Sequence, residues 1–233
     1  VKLLQKIGTS SVIKMARNLG IKSRMENNLS IGLGSSGVTL QELVSAYSAF
    51  ANHGIKVESK GIRYVENRNG KVLFKESQNK TQPISNGIAS VITSLLQSVV
   101  KEGTAKKVRA LERPTAGKTG TTNNYIDAWF LGYTPKLLTG VWVGKDDVEP
   151  LGKNETGSRA ALPIWLEYMK RALEGTPIHN FRTTYETVFT KINPDTGNLT
   201  DAEDPKGYFE IFLKDKLPAK QNNATKVLID KAF

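Results

Sequence analysis

At residues 118–122 the chain reads Lys-Thr-Gly-Thr-Thr, inside Arg113-Pro-Thr-Ala-Gly-Lys-Thr-Gly-Thr-Thr122 and ahead of Asp127-Ala-Trp-Phe-Leu-Gly-Tyr-Thr-Pro135. A cation, a hydroxyl and a position without a side chain come in succession. Such a run can hold a carboxylate-bearing peptide beside a strand edge, because Gly120 has no Cβ to keep a second backbone away. The bare triplet is weak evidence, since roughly one chain in twenty of this length holds it by chance. Alone it reads as a surface strand ending in a glycine turn. The two histidines, His53 and His179, stand in turn-like contexts and form neither a triad nor a metal site. With no cysteine, thiolate chemistry, thiolate metal sites and disulfides are excluded.

The elements around the triplet give it a setting. Residues 108–122 form a basic, turn-rich entry into a short strand. Residues 128–133 form a second strand, and Thr134-Pro135-Lys136 a turn, since proline fixes φ and ends regular pairing. Residues 137–143, apolar and β-branched, form a third strand. Three strands on short turns predict an antiparallel meander with Lys118 to Gly120 on its first strand. Helices are predicted over 10–19, 39–52, 88–100 and 163–173. In the second, Thr39 and Glu42 make a capping box and Gly54 can close the end. In the third, Ile88, Val91, Ile92, Leu95, Leu96 and Val99 share a face. Asn69-Gly70 marks a hairpin between residues 62–66 and 72–74. Trp129 and Trp142 read as sheet packing. After about residue 178 the apolar stripes shorten, Asn193-Pro-Asp-Thr-Gly197 makes a turn, and residues 220–231 read as a polar, frayed tail.

With 233 residues, 39% of them hydrophobic, one or two domains with a true core are expected. No apolar run is long enough to span a bilayer and no signal peptide is visible. The formal charge is +11, but the lysines are scattered and no aromatic-interleaved basic motif appears, so nucleic acid is not the expected partner. An anionic wall polymer or membrane surface fits the charge as well.

Gly117-Lys-Thr-Gly-Thr-Thr-Asn123, Asp127-Ala-Trp-Phe-Leu-Gly-Tyr-Thr-Pro135 and Thr139-Gly-Val-Trp-Val-Gly144 resemble the class A penicillin-binding proteins. Gly34 to Gly54 and Gly157-Ser-Arg-Ala-Ala-Leu-Pro-Ile-Trp165 are similar to the same family, in the same order. Lys145 departs from the small polar residue expected there. The resemblance implies an α/β (α+β) fold of the β-lactamase/transpeptidase type, a mainly antiparallel sheet covered by helices. Residues 1–178 would be the C-terminal portion of the transpeptidase domain, and 179–233 a C-terminal extension. It implies a serine D,D-transpeptidase of the cell envelope, on the outer face of the cytoplasmic membrane, that cross-links D-Ala-D-Ala stem peptides through an acyl-enzyme and binds β-lactams. No metal or organic cofactor is implied.

The resemblance also assigns roles. Lys118 would offer charge to the substrate carboxylate and to a shuttling hydroxyl. Thr119 and Thr121 hydroxyls would bind that carboxylate, Gly120 would admit the substrate backbone, and the N–H of Thr121 would be an oxyanion donor. Thr122 is either a contact or a strand end. The family's nucleophile motif, Ser-x-x-Lys at a helix start, is matched only by strings in poor settings. Ser11 and Lys14 fall on a polar helix face. Ser98 and Lys101 sit at a helix C-terminus, where the dipole disfavours an oxyanion. Ser77 to Lys80, with the Ser77-Gln-Asn79 mimic of the second motif, lies in a polar stretch. The expectation is that both serine motifs, and a glycosyltransferase domain, precede Val1. A D,D-carboxypeptidase or serine β-lactamase of the same fold, and a non-catalytic binding module, remain as alternatives.

Overall fold

The computed structural model describes residues 1–77 and 80–220. Its chain divides into two units, Val1–Arg182 and Thr183–Phe233. In the first, two short helices, α1 (Lys2–Ile7) and α2 (Thr9–Asn18), meet at Gly8. Then come α3 (Leu40–Ala51), β1 (Lys56–Val57), β2 (Tyr64–Glu66), β3 (Val72–Lys75) and β4 (Lys80–Thr81). After α4 (Asn86–Lys101) the strands β5 (Ala116–Thr121), β6 (Ala128–Tyr133) and β7 (Leu138–Val143) form one sheet, and α5 (Leu162–Ala172) follows. No helix among the described residues is long and apolar enough to cross a membrane.

The predicted meander is present, in the order β5-β6-β7 and antiparallel throughout. Its register aligns Lys118 with Leu131 and Gly140, and Gly120 with Trp129 and Trp142. Side chains alternate across a pleated strand, so Lys118, Gly120, Leu131, Trp129 and Trp142 share one face. Thr119, Thr121, Phe130 and Val141 share the other. The second face carries the main core. There Phe130 meets Trp165 edge-on at 5.0 Å, and Ala128, Leu162, Trp165 and Met169 are fully buried. The Trp165 indole N–H donates to Thr139 O at 3.0 Å, which fixes α5 on the sheet.

The first face receives α3. Its predicted capping box is complete. Thr39 Oγ1 accepts from Glu42 N–H at 3.2 Å, and Glu42 Oε2 accepts from Thr39 N–H at 3.0 Å. Its end is tied by Gly54 N–H to Ala49 O at 2.7 Å. The α4 stripe differs from expectation. Ile88 and Leu95 are exposed, while Gly87, Ala89 and Thr93 are buried. Small residues let α4 approach closely, with Ala89 against Ala49 and Ile84, and Thr93 Oγ1 2.9 Å from Tyr133 Oη.

The predicted hairpin is β2–β3, its turn held by Asn67 Oδ1 accepting from Asn69 and Lys71 N–H. In the second unit β8 (Thr187–Ile192) pairs antiparallel with β9 (Tyr208–Leu213). Asp204 organises the connection. Its carboxylate accepts from Thr200 Oγ1, Asn193 Nδ2 and Lys206 N–H, and these bonds hold its pKa down at about 2. The tail at 220–231 falls outside the described residues except for Lys220, and so do Gln78 and Asn79 of the Ser77 strings.

Candidate functional site

Among the described residues β5 is an edge strand of its sheet. Thr122 N–H donates to Asp127 O at 3.1 Å. Backbone groups of an antiparallel strand alternate in direction, so the N–H of Thr121 and the N–H and C=O of Thr119 point away from β6. The proposed oxyanion donor therefore faces the open side of β5. Lys118 folds over that side, its Nζ donating to Thr119 O at 2.9 Å.

This edge lines a groove of about 680 Å³. Lys118 to Thr122 form one wall and residues 33–39 the facing rim. Leu40, Leu43 and Tyr47 of α3, with Leu131 and the two tryptophans Trp129 and Trp142, add apolar surface. A cavity that is mostly apolar, with a few convergent polar groups, is what a specific ligand needs. Trp142 is 41% exposed. Its indole N–H donates to Asp127 Oδ1 at 2.8 Å and its ring stands 6.1 Å from Trp129. Trp142 thus packs across the strands on Trp129, near the start of β6, as expected, but it also presents a partly open ring to the groove.

The four hydroxyl and glycine positions differ in their surroundings. Thr119 Oγ1 lies 2.7 Å from Thr104 Oγ1. Thr121 Oγ1 accepts the N–H of Gly157 at 3.0 Å. Gly157 opens a turn that leads into α5, and it crosses the sheet so closely that a Cβ there would lie 2.3 Å from Trp129 O and 2.4 Å from Gly120 O. Gly120 is half-buried, next to Trp129 Cβ. Thr122 Oγ1 accepts the Asp127 N–H at 2.7 Å and its carbonyl accepts from Tyr125 N–H at 3.2 Å. Its hydroxyl thus closes the β5–β6 connection, and the residue also lines the groove.

Sequence reasoning missed Thr104, Gly157 and the Asp127–Trp142 pair. The last was accessible, because pairing β6 with β7 brings Ala128 opposite Val143 and so the two side chains together. Thr104 and Gly157 meet β5 from 15 and 36 residues away, and no local pattern marks such contacts. The Ser-x-x-Lys strings stay apart from the groove. Ser11, Lys14, Ser98 and Lys101 are exposed, and none of them, nor Ser77, lines it.

A three-stranded antiparallel sheet sandwiched by helices, with Lys-Thr-Gly on its edge strand beside a groove, defines a penicillin-binding transpeptidase domain. The family model for the penicillin binding protein transpeptidase domain matches residues 4–169, and the chain belongs to that family. Penicillin-binding protein 1A of Aquifex aeolicus is 37% identical over 94% of this chain and 30% of its own length. The crystal structure of penicillin-binding protein 1A from Haemophilus influenzae superimposes with a TM-score of 0.86 at 26% identity, over 95% of this chain and 39% of that one. The PonA1 protein of Mycobacterium tuberculosis, solved in complex with penicillin V, gives a TM-score of 0.65 at 29% identity, over 76% of this chain and 53% of that one. The chain thus spans about a third of the length of the curated relatives it matches.

Proposed function

We propose that this chain supplies the distal wall of a serine D,D-transpeptidase site that cross-links peptidoglycan stem peptides. The observation that carries the reading is the edge placement of β5, with Lys118, the Thr119 and Thr121 hydroxyls and the outward Thr121 N–H beside one groove. A D-Ala-D-Ala terminus lies along β5. Its carboxylate takes the hydroxyls of Thr119 and Thr121 and the charge of Lys118. Its scissile carbonyl turns toward the Thr121 N–H, which stabilises the oxyanion as the tetrahedral intermediate forms. A β-lactam, with a carboxylate beside its reactive amide, uses the same groups.

The nucleophilic serine and its lysine come, in this proposal, from a segment outside these 233 residues. It seats on the apolar wall of Leu40, Leu43, Tyr47 and Leu131. The serine oxygen attacks the carbonyl of the penultimate D-alanine, D-alanine leaves with a proton, and a neighbouring stem amine then displaces the serine and restores its hydroxyl. The protein acts at the outer face of the cytoplasmic membrane, where this substrate is found. A carboxypeptidase or β-lactamase is less well supported, because the identity to penicillin-binding protein 1A extends along 94% of the chain.

Fluorescent penicillin tests the reading. The 233-residue chain alone should form no covalent adduct, whereas the full-length protein should be acylated stoichiometrically. A stoichiometric adduct at Ser11, Ser77 or Ser98, located by mass spectrometry, would overturn it.

A further inference from the structure

Thr104 belongs to no element and carries no role so far. It stands just beyond α4, with its Oγ1 2.7 Å from Thr119 Oγ1. Its position is set from both sides. Gly103 N–H and Ala105 N–H both donate to Val99 O, at 3.0 and 3.3 Å, and Ala105 is completely buried. A Cβ on Gly103 would come within 2.8 Å of that same carbonyl, so the close turn requires glycine. The end of α4 therefore delivers one hydroxyl to another across 15 residues of chain.

A hydroxyl has one proton to give and two lone pairs to receive with. In the Thr104–Thr119 pair one oxygen donates and the other accepts. Were Thr119 to donate to Thr104, it would have no proton left for a ligand. With Thr104 donating, the Thr119 proton is free to turn into the groove. An ionised carboxylate only accepts, so its arrival selects the second arrangement. The result is a chain of donors, Thr104 to Thr119 to carboxylate, in which each bond polarises the next.

We propose that Thr104 is a positioning residue for carboxylate recognition, aligning the Thr119 hydroxyl as a donor to an anionic ligand. The inference rests on the reading that Thr119 binds the substrate carboxylate.

The test uses the full-length protein and measures acylation rate constants with benzylpenicillin and with its uncharged methyl ester. Thr104→Val removes the hydroxyl and keeps the shape. It should slow acylation by the free acid about two- to tenfold, slow the ester, whose uncharged oxygens are weaker acceptors, by clearly less, and leave the melting temperature unchanged. Thr104→Ser should restore the acid rate. The double variant Thr104→Val/Thr119→Val should be no slower than Thr119→Val alone. A parent-like acid rate for folded Thr104→Val, an equal loss with the ester, or additive losses in the double variant would each overturn the proposal. If Thr119→Val itself acylates at the parent rate with the free acid, the underlying reading of Thr119 fails and the inference with it. That outcome is distinct from a failure at Thr104 alone. Should Thr104→Val not fold, Thr104→Ala provides the same comparison at an exposed position.

Discussion

Lys118 and the threonines that follow it have unequal tasks, and side-chain replacement separates them. Lys118→Ala in the full-length protein removes an electrostatic donor and should slow acylation on the order of a hundredfold, about 3 kcal/mol; stopped-flow acylation by a β-lactam measures it. Thr121 has two obligations, because its oxygen already accepts the Gly157 N–H. Thr121→Ser keeps both and should retain most activity. Thr121→Val strands the Gly157 donor as well as a ligand oxygen, so acylation should weaken by about 1–3 kcal/mol and the melting temperature should fall too. Thr122→Val should behave differently. It deletes the acceptor for Asp127 N–H, costing about 1 kcal/mol of stability while leaving the acylation rate of the folded protein near the parent value. The residue types were readable in the sequence. Which backbone donor each hydroxyl accepts was not, since Gly157 lies far along the chain from Thr121.

At the scale of elements, α3 shows how far a local signal reaches. The Thr39–Glu42 box was legible because both ends of it lie within one turn. Its second half was hidden. The Glu42 carboxylate also accepts the N–H groups of Lys22 and Ser23, at 2.7 and 2.8 Å, and the Ser23 hydroxyl at 2.5 Å. Burial works to raise its pKa, but the Ser23 hydroxyl and the three backbone donors together overcome this and bring it to about 2. A folded-state pKa below the unfolded one means that the stabilisation is fully present above pH 4.5 and is lost as pH falls toward 2. Thermal melts from pH 7 to 2 should show this loss, and Glu42→Gln, less stable at pH 7, should show a shallower one. Equal pH slopes for the two proteins would refute the assignment. For α4 the apolar period was read correctly as helix, yet two of the six stripe residues, Ile88 and Leu95, are exposed. Large side chains mark hydrophobicity, whereas the small residues Gly87, Ala89 and Thr93 are buried, with Ala89 packed on Ala49 and Ile84 and Thr93 beside Tyr133.

For the molecule as a whole, the sheet, α3, α4 and α5 all belong to the unit Val1–Arg182, and so do all three tryptophans, Trp129, Trp142 and Trp165. A chain ending at Arg182 should therefore keep the near-ultraviolet circular dichroism of the longer chain, which arises chiefly from packed indoles. Loss of that signal would show that the first unit depends on the second. Most of the larger elements in this unit were legible because their signals are local, as in the capping box, the glycine stop and the turn-bounded β-branched strand, whereas α1 and the short β1–β4 pair were not. The groove was not, because its two walls are separated by some 80 residues and meet only after α3 has settled on the sheet.

The crowding at Gly157 has a consequence for how such a site can change over generations. The turn that leads into α5 presses on the carbonyls of Gly120 and Trp129, leaving no room for even a methyl group, whereas Gly37 on the facing rim has nothing within 4 Å of where one would stand. The groove is thus closed to variation at Gly157 and open to it at Gly37. Under selection for altered ligand preference, inherited substitutions should be tolerated at Gly37, whereas Gly157 should stay as it is and Gly34, at φ +80°, should remain glycine.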